Sequence, residues 1–170
     1  MQTSDSVTIC DALVEDLPGL LAIYNDVIAT STAVYNDRPV TLEDRTGWWR
    51  NRTAAGYPVL VARDALGVAG FSTFGDFRSW PGYRYTVEHT VHVRADCRGR
   101  GLGRALLEAL FPRAASLGKH VMIAGVDAAN ADSIRFHARL GFVQCAHLRE
   151  VGFKFDRWLD LVLMQRWIDR

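Results

Sequence analysis

The 170-residue sequence predicts a mixed α/β fold built around one sheet. Strand-like runs follow one another with helices interspersed, as a mixed sheet requires; strict alternation of strand and helix would suggest a doubly wound fold. A strand also runs into a turn with glycine at every second position and then directly into a helix. With 49% hydrophobic and 23% charged residues the chain can bury one core, and residues 1–170 read as a single domain without repeats, low-complexity stretches or linkers.

The elements follow from punctuation and period. Val7–Cys10 reads as a short strand. Asp16 and Pro18 mark the start of a helix whose Leu20, Tyr24, Val27 and Ile28 recur at helical spacing to about Thr30. Thr41 with Asp44 three residues later forms a capping-box pattern, opening a helix through Trp48, Trp49 and Arg52 that stops by Gly56, with its tryptophans inward. Pro58–Arg63 and Val68–Gly75 are β-rich runs joined by the hairpin signal Asp64-Ala65-Leu66-Gly67, and a loop covers Asp76–Tyr83. Arg84–Val93 alternates: Tyr85, Val87, His89, Val91 and Val93 on one face, Arg84, Thr86, Glu88, Thr90 and His92 on the other. The second face is unusually polar for a central strand. Leu102, Leu106, Leu110 and Leu117 mark a helix ending at Gly118, kinked where Pro112 removes a backbone donor. A buried strand at His120–Val126, a short helix at Ser133–Leu140 closed by Gly141, and strands at Phe142–Cys145 and Trp158–Trp167 complete the series.

Charge and composition exclude several classes of partner. Twenty Lys and Arg against 19 Asp and Glu leave a net charge of +1, which offers no field for nucleic acid or a membrane. No apolar run approaches the roughly 18 residues of a spanning helix, and MQTSDSVTIC has neither a basic nor an apolar signal region, so a soluble cytoplasmic location is expected. Cys10, Cys97 and Cys145 are odd in number and far apart, so all three read as reduced. Cys97 lies between Asp96 and Arg98, where a cation would lower a thiol pKa, but no base nearby in sequence makes it a nucleophile. An HxxH pair, His89 and His92, falls on opposite faces of its strand and is not read as a metal site.

The chemistry concentrates in Val91–Arg104. Gly99, Gly101 and Gly103 allow the backbone to approach a phosphate closely, the following helix start offers unpaired N–H groups, and Arg98, Arg100 and Arg104 add charge. A pyrophosphate is the ligand implied. Neither GxxxxGK[ST] nor GxGxxG is present, which removes the P-loop and dinucleotide readings and leaves coenzyme A.

The string Arg98-Gly99-Arg100-Gly101-Leu102-Gly103 resembles the [QR]xxGx[GA] pyrophosphate loop of the GNAT superfamily of acyltransferases, in the same strand-to-helix setting. The resemblance extends over nearly the whole chain to the phosphinothricin and methionine sulfone or sulfoximine N-acetyltransferases. It is carried by YNDVIATSTAVYNDRPV (24–40), FGDFRSWPGYRYTVEHTVHV (74–93), GKHVMIAGVDAANADS (118–133) and VGFKFDRWLDLVLMQ (151–165). The FRSWPGYR pattern, absent from the phosphinothricin enzymes, favours the methionine-derived branch.

The resemblance implies a sheet splayed between its fourth and fifth strands, with acetyl-CoA as co-substrate and no metal. Val91, His92 and Val93 would meet the pantetheine arm through their backbone, and Gly99–Arg104 the pyrophosphate. Asn130 matches a family cofactor contact, although an asparagine there also suits a helix cap. An ammonium cannot attack a thioester until it loses a proton, so a carboxylate is wanted beside the acyl group; Glu88, in the family's xVExTV string, is the candidate general base. His137 is a candidate second proton shuttle, and Tyr35, Tyr83 and Tyr85 are candidates for the acid. For the acceptor, Arg78 and Arg84 offer bidentate geometry for a carboxylate; Phe74, Trp80 and Tyr83 are expected as walls, and the backbone of Pro81, Gly82 and Tyr83 as a contact. Thr32–Tyr35 is expected to close the pocket, and Asp160 to pair with an exposed arginine. The partner implied is a small amine, and the family habit a homodimer. Acetylation of a polyamine or protein N-terminus, and an idle coenzyme A sensor, are the rival readings.

Overall fold

A computed structural model describes residues 7–169; residues 1–6 and 170 of the expected single unit lie outside it. The chain runs β1 (Thr8–Asp11), α1 (Leu17–Thr30), α2 (Leu42–Ala54), β2 (Val59–Asp64), β3 (Gly67–Asp76), β4 (Thr86–Val93), α3 (Leu102–Glu108), α4 (Leu110–Ser116), β5 (Val121–Asp127), α5 (Ala131–Arg139), β6 (Val143–Lys154) and β7 (Arg157–Trp167). The seven strands form one mixed sheet in the order β1-β2-β3-β4-β5-β7-β6, antiparallel except for β4 beside β5. No helix among the described residues is long and apolar enough to cross a membrane.

The helices cover the two faces. Leu20 and Ile23 of α1 pack with Val59, Val61 and Phe71 on one side, and Trp48 and Trp49 of α2 lie half-buried against them. On the other side Leu102, Leu106, Leu107 and Leu110 pack with Leu60, Phe74, Val87 and Met122. The helix break falls at Ala109: Pro112 has no N–H to give to Glu108, so α3 and α4 are separate segments. The capping box is formed, with Thr41 Oγ1 accepting from Asp44 N at 3.1 Å and the Asp44 carboxylate accepting from Thr41 N at 2.8 Å. Asp16 stands at the start of α1, yet its carboxylate accepts from Leu13 N and from Arg63 rather than from the helix.

β6 is the main departure from the sequence reading, extending nine residues past Cys145 to Lys154. It is an edge strand with mostly exposed residues, so it carries no alternating pattern to detect. Its register with β7 shifts between Leu148 and Gly152, where Glu150 takes a φ of 53°. Asp160 holds this bulge, accepting from Glu150 N at 2.9 Å and pairing with His147 Nε2 at 2.8 Å; histidine, not the expected arginine, is its partner. Phe155 and Asp156 close the hairpin with φ values of 51° and 55°, the left-handed pair that a two-residue hairpin loop uses.

Candidate active site

The sheet opens at its middle. β4 and β5 are paired only over Thr86–Glu88 and Val121–Ile123, after which β4 continues to Val93 and β5 to Asp127 without mutual register. Glu88 stands at the mouth of this opening. Its carboxylate leans toward β5, where a Cβ added at Gly125 would sit 3.0 Å from Oε1. By area the residue is exposed, but it sits in a recess walled by both strands. Desolvation there raises the carboxyl pKa above 4.5, and the nearby charge of Arg78 pulls it back.

Beyond the opening lies the glycine loop. Gly99 and Gly101 have φ values of 75° and 80°, and a Cβ at either would find nothing within 4 Å, so the backbone is bare to solvent. Gly103 faces Val93 and Phe136. The loop, with Arg98 and Arg104, borders a cavity of about 400 Å³ whose opposite wall is Phe136, Arg139 and Leu140 around the end of α5. Arg98 Nε donates to Val93 O, and Arg104 pairs with Glu108 one turn on. Arg100 faces a neighbouring cavity with Cys97 and Asp64. Burial raises the Cys97 thiol pKa, outweighing the Arg94 cation, which agrees with an inert thiol. Asn130 caps α5, its Oδ1 accepting from Ser133 N at 3.0 Å.

Strand alternation separates residues expected together. Phe74, expected as an acceptor wall, is fully buried in the core on the opposite face from Glu88; its register partner is His89, whereas Gly75 is the partner of Glu88. His137 is likewise on that far face. Its Nε2 lies 3.1 Å from His89 Nε2, so the sheet separates it from Glu88 and it cannot share a proton with that carboxylate directly. Ser133 O, 2.7 Å from His137 Nδ1, can only accept, so Nδ1 carries the hydrogen and Nε2 accepts from His89. Burial lowers the pKa of both histidines, and of His92 on the other face to about 4. All three are therefore neutral in the folded state at pH 7.

The sign of the resulting pH dependence is fixed. Below the ordinary histidine value of 6.5 the unfolded chain takes up protons that the folded chain refuses, so stability present above that pH is lost as pH falls. The melting temperature is expected to drop steadily between pH 7 and pH 5. A flat profile over that range would mean the buried imidazoles are not held neutral.

The loop expected to meet the acceptor is pinned at both ends. Tyr57 OH donates to Asp76, Lys119 Nζ donates to Tyr57 Oη at 3.1 Å and to Arg84 O at 2.7 Å, and residues 81–83 form a single 3-10 turn. Because that turn takes up Arg84, the strand starts at Thr86. Arg84 does not reach Glu88: it donates to Pro81 O and lies over the Tyr85 ring. Tyr83 packs edge-on against Phe77, and Trp80 is exposed. Tyr35, with its pKa raised to about 12 chiefly by burial, donates to Asp160 O.

Residues 31–35 form a strap from the α1 side to the far half of the sheet. Thr32 donates to Asp127 at the end of β5, and buried Lys154 donates to Ser31 O at 2.6 Å and Val34 O at 2.9 Å. The Tyr35 ring occupies the space above Gly152, where any Cβ would collide with it.

The acetyltransferase (GNAT) family model matches residues 20–142. The chain belongs to that family. Among its relatives, the L-methionine sulfoximine/L-methionine sulfone acetyltransferase of Pseudomonas aeruginosa is 52% identical over 165 residues, covering 96% of each chain. An L-amino acid N-acyltransferase of Escherichia coli is 46% identical, covering 91% of this chain and 90% of its own. The solved GNAT phosphinothricin acetyltransferase of Sinorhizobium meliloti, in complex with acetyl-CoA, superposes with a TM-score of 0.91 at 35% identity, over 95% of this chain and 88% of that one.

Sequence reasoning did not point to Phe136 and Arg139 opposite the glycine loop, to the His89 partner of His137, or to Arg45 and Arg52 on the Glu88 face. The last two left a signal. Arg45, Trp48 and Arg52 recur at i, i+3 and i+7, placing two arginines on the inward stripe of α2.

Proposed function

We propose that the chain transfers the acetyl group of acetyl-CoA to the primary amine of a small amino-acid acceptor of the methionine sulfone, methionine sulfoximine or phosphinothricin type, with Glu88 as general base. One observation carries the reading: an ionisable carboxylate stands at the mouth of the β4–β5 opening, on the strand that leads into the glycine loop. The names of the relatives supply the acceptor class.

The residues fit the co-substrate. The two left-handed glycines leave the loop bare toward the cavity, and Arg98, Arg104 and Arg139 place cations around it for a pyrophosphate. Beyond Glu88, β4 has no register partner on its β5 side, so the backbone of Val91–Val93 is available to the pantetheine amides. Acetyl-CoA supplies a thioester carbonyl. Glu88 takes one proton from the acceptor ammonium, leaving a lone pair on nitrogen to form the C–N bond; the C–S bond breaks, and the proton that the nitrogen then sheds goes to the departing thiolate, giving amide and free thiol. Arg78 is the proposed partner of the acceptor carboxylate: its guanidinium lies 5.0 Å from the Phe77 ring on the loop before β4, its charge reaches Glu88, and an α-carboxylate lies two bonds from the amine. The same charge keeps Glu88 more ionised than burial alone would allow. An exposed apolar run on the β6–β7 hairpin, Val151, Phe153, Phe155 and Trp158, supports a homodimer.

The deciding experiment is thiol release from acetyl-CoA with methionine sulfone, methionine sulfoximine, phosphinothricin, a polyamine and a peptide N-terminus as acceptors. Turnover is expected with the amino-acid analogues. Turnover with only the polyamine or the peptide would overturn the proposed acceptor class.

A further inference from the structure

A second cavity of about 400 Å³ lies on the Glu88 face, between α1, α2 and strands β3 and β4. Thr90, two residues from Glu88 on the same face, forms its floor with Phe71, and Tyr24 and Trp48 are its walls. Arg45 enters it from α2. This arginine is 6% exposed, its guanidinium lies 3.7 Å above the Tyr24 ring and 4.5 Å from that of Trp48, and its Nε has no hydrogen-bond partner. Among the described residues it forms no ion pair with a carboxylate. Asp44 also borders the cavity; its Oδ2 accepts from Thr41 N and Oγ1, and its charge reaches Arg45 without a direct ion pair. Arg52, a second lining residue, leans over Gly75, which is the register partner of Glu88, and feels the charge of Asp76.

A buried guanidinium with no carboxylate in direct contact is costly even with the charge of Asp44 near it, and an orphaned N–H adds to that cost. Both are relieved by an oxygen-bearing ligand. The space is much larger than a carboxylate alone needs, and aromatic walls suit a methylene stem. We infer that this cavity receives the acceptor's side chain and that Arg45 donates to oxygens at its far end, so that the enzyme selects amino acids whose side chains end in a sulfonyl, sulfoximine, phosphinate or similar oxygen-rich group. The inference rests on the acetyl-transfer reading and adds a specificity residue to it. Arg52 beside Gly75 places the cavity wall next to the base, as an acceptor with its amine at Glu88 requires.

The test compares kcat/KM for methionine sulfone, phosphinothricin and norleucine in the wild type, Arg45→Met and Arg45→Lys. Arg45→Met is expected to raise KM for the two oxygen-ended acceptors at least about tenfold, the scale of a hydrogen bond to a charged group. KM for norleucine and acetyl-CoA should stay unchanged, and Arg45→Lys should recover part of the loss. Equal losses for all three acceptors, or none, would refute the assignment. Titration of wild-type tryptophan fluorescence with methanesulfonate and dimethylphosphinate, in the presence and absence of methionine sulfone, reads the cavity without turnover or a variant. Saturable quenching that methionine sulfone competes away supports the assignment, and its absence overturns it even if Arg45→Met does not fold. Failure of the acetyl-transfer reading shows differently, as no acetylation of any amino acid by the wild type.

Discussion

Glu88→Gln is expected to lower kcat/KM for the amino-acid acceptor by about 10²- to 10⁴-fold, the usual contribution of a positioned general base. Glutamine keeps the size and the polar oxygen but cannot take a proton. Binding of acetyl-CoA should be unaffected, because the glycine loop and its cavity do not include residue 88. The pH profile distinguishes a base from a structural carboxylate. Burial raises the Glu88 pKa above 4.5, and a base works only when ionised, so wild-type kcat/KM should fall as pH drops through that raised value. The variant should lose this acid limb. Wild-type turnover across pH in Glu88→Gln would remove the proposed role.

Phe74→Ala is expected to destabilise the fold by about 3–5 kcal/mol, the range for truncating a fully buried aromatic ring. For a chain of this size that corresponds to a fall in melting temperature of roughly 6–20 °C. The ring packs edge-on against Tyr57 at 5.6 Å and lies among the α3–α4 leucines, on the far side of the sheet from Glu88. The acceptor KM of the surviving folded fraction should therefore match the wild type. A changed KM with unchanged stability would restore Phe74 to the acceptor pocket.

These two residues also show what the sequence could and could not convey. The alternation of β4 was legible, and with it the outward carboxylate, because that strand has one apolar and one polar face. The facing of Phe74 was hidden because β3 is buried almost throughout its length and shows no alternation. Helix caps and hairpins were readable where the signal is local, as in Thr41 with Asp44 and in Asp64–Gly67. Contacts that depend on strand order were not. Nothing near His137 in sequence indicates that its partner is His89, and only the folded sheet brings α5 beside that strand. The arginines of α2 were visible as letters, but reading them as a pocket required knowing that α2 covers the strand carrying Glu88. Most of β6 escaped detection because its bulge is held by Asp160, a residue of the next strand.

The strap carries a consequence for the order in which the molecule forms. Its anchors join residues 95, 120, 123 and 125 positions apart. Such contacts form only after much loop entropy has been spent, and in synthesis only after the β6–β7 hairpin has left the ribosome. The proposed acceptor side should thus be the last part to mature, while the half-sheet β1–β4 that carries Glu88 is already in the chain. Shortening the C-terminal hairpin would then produce a protein that keeps its proposed base and glycine loop yet has no closed place for an acceptor.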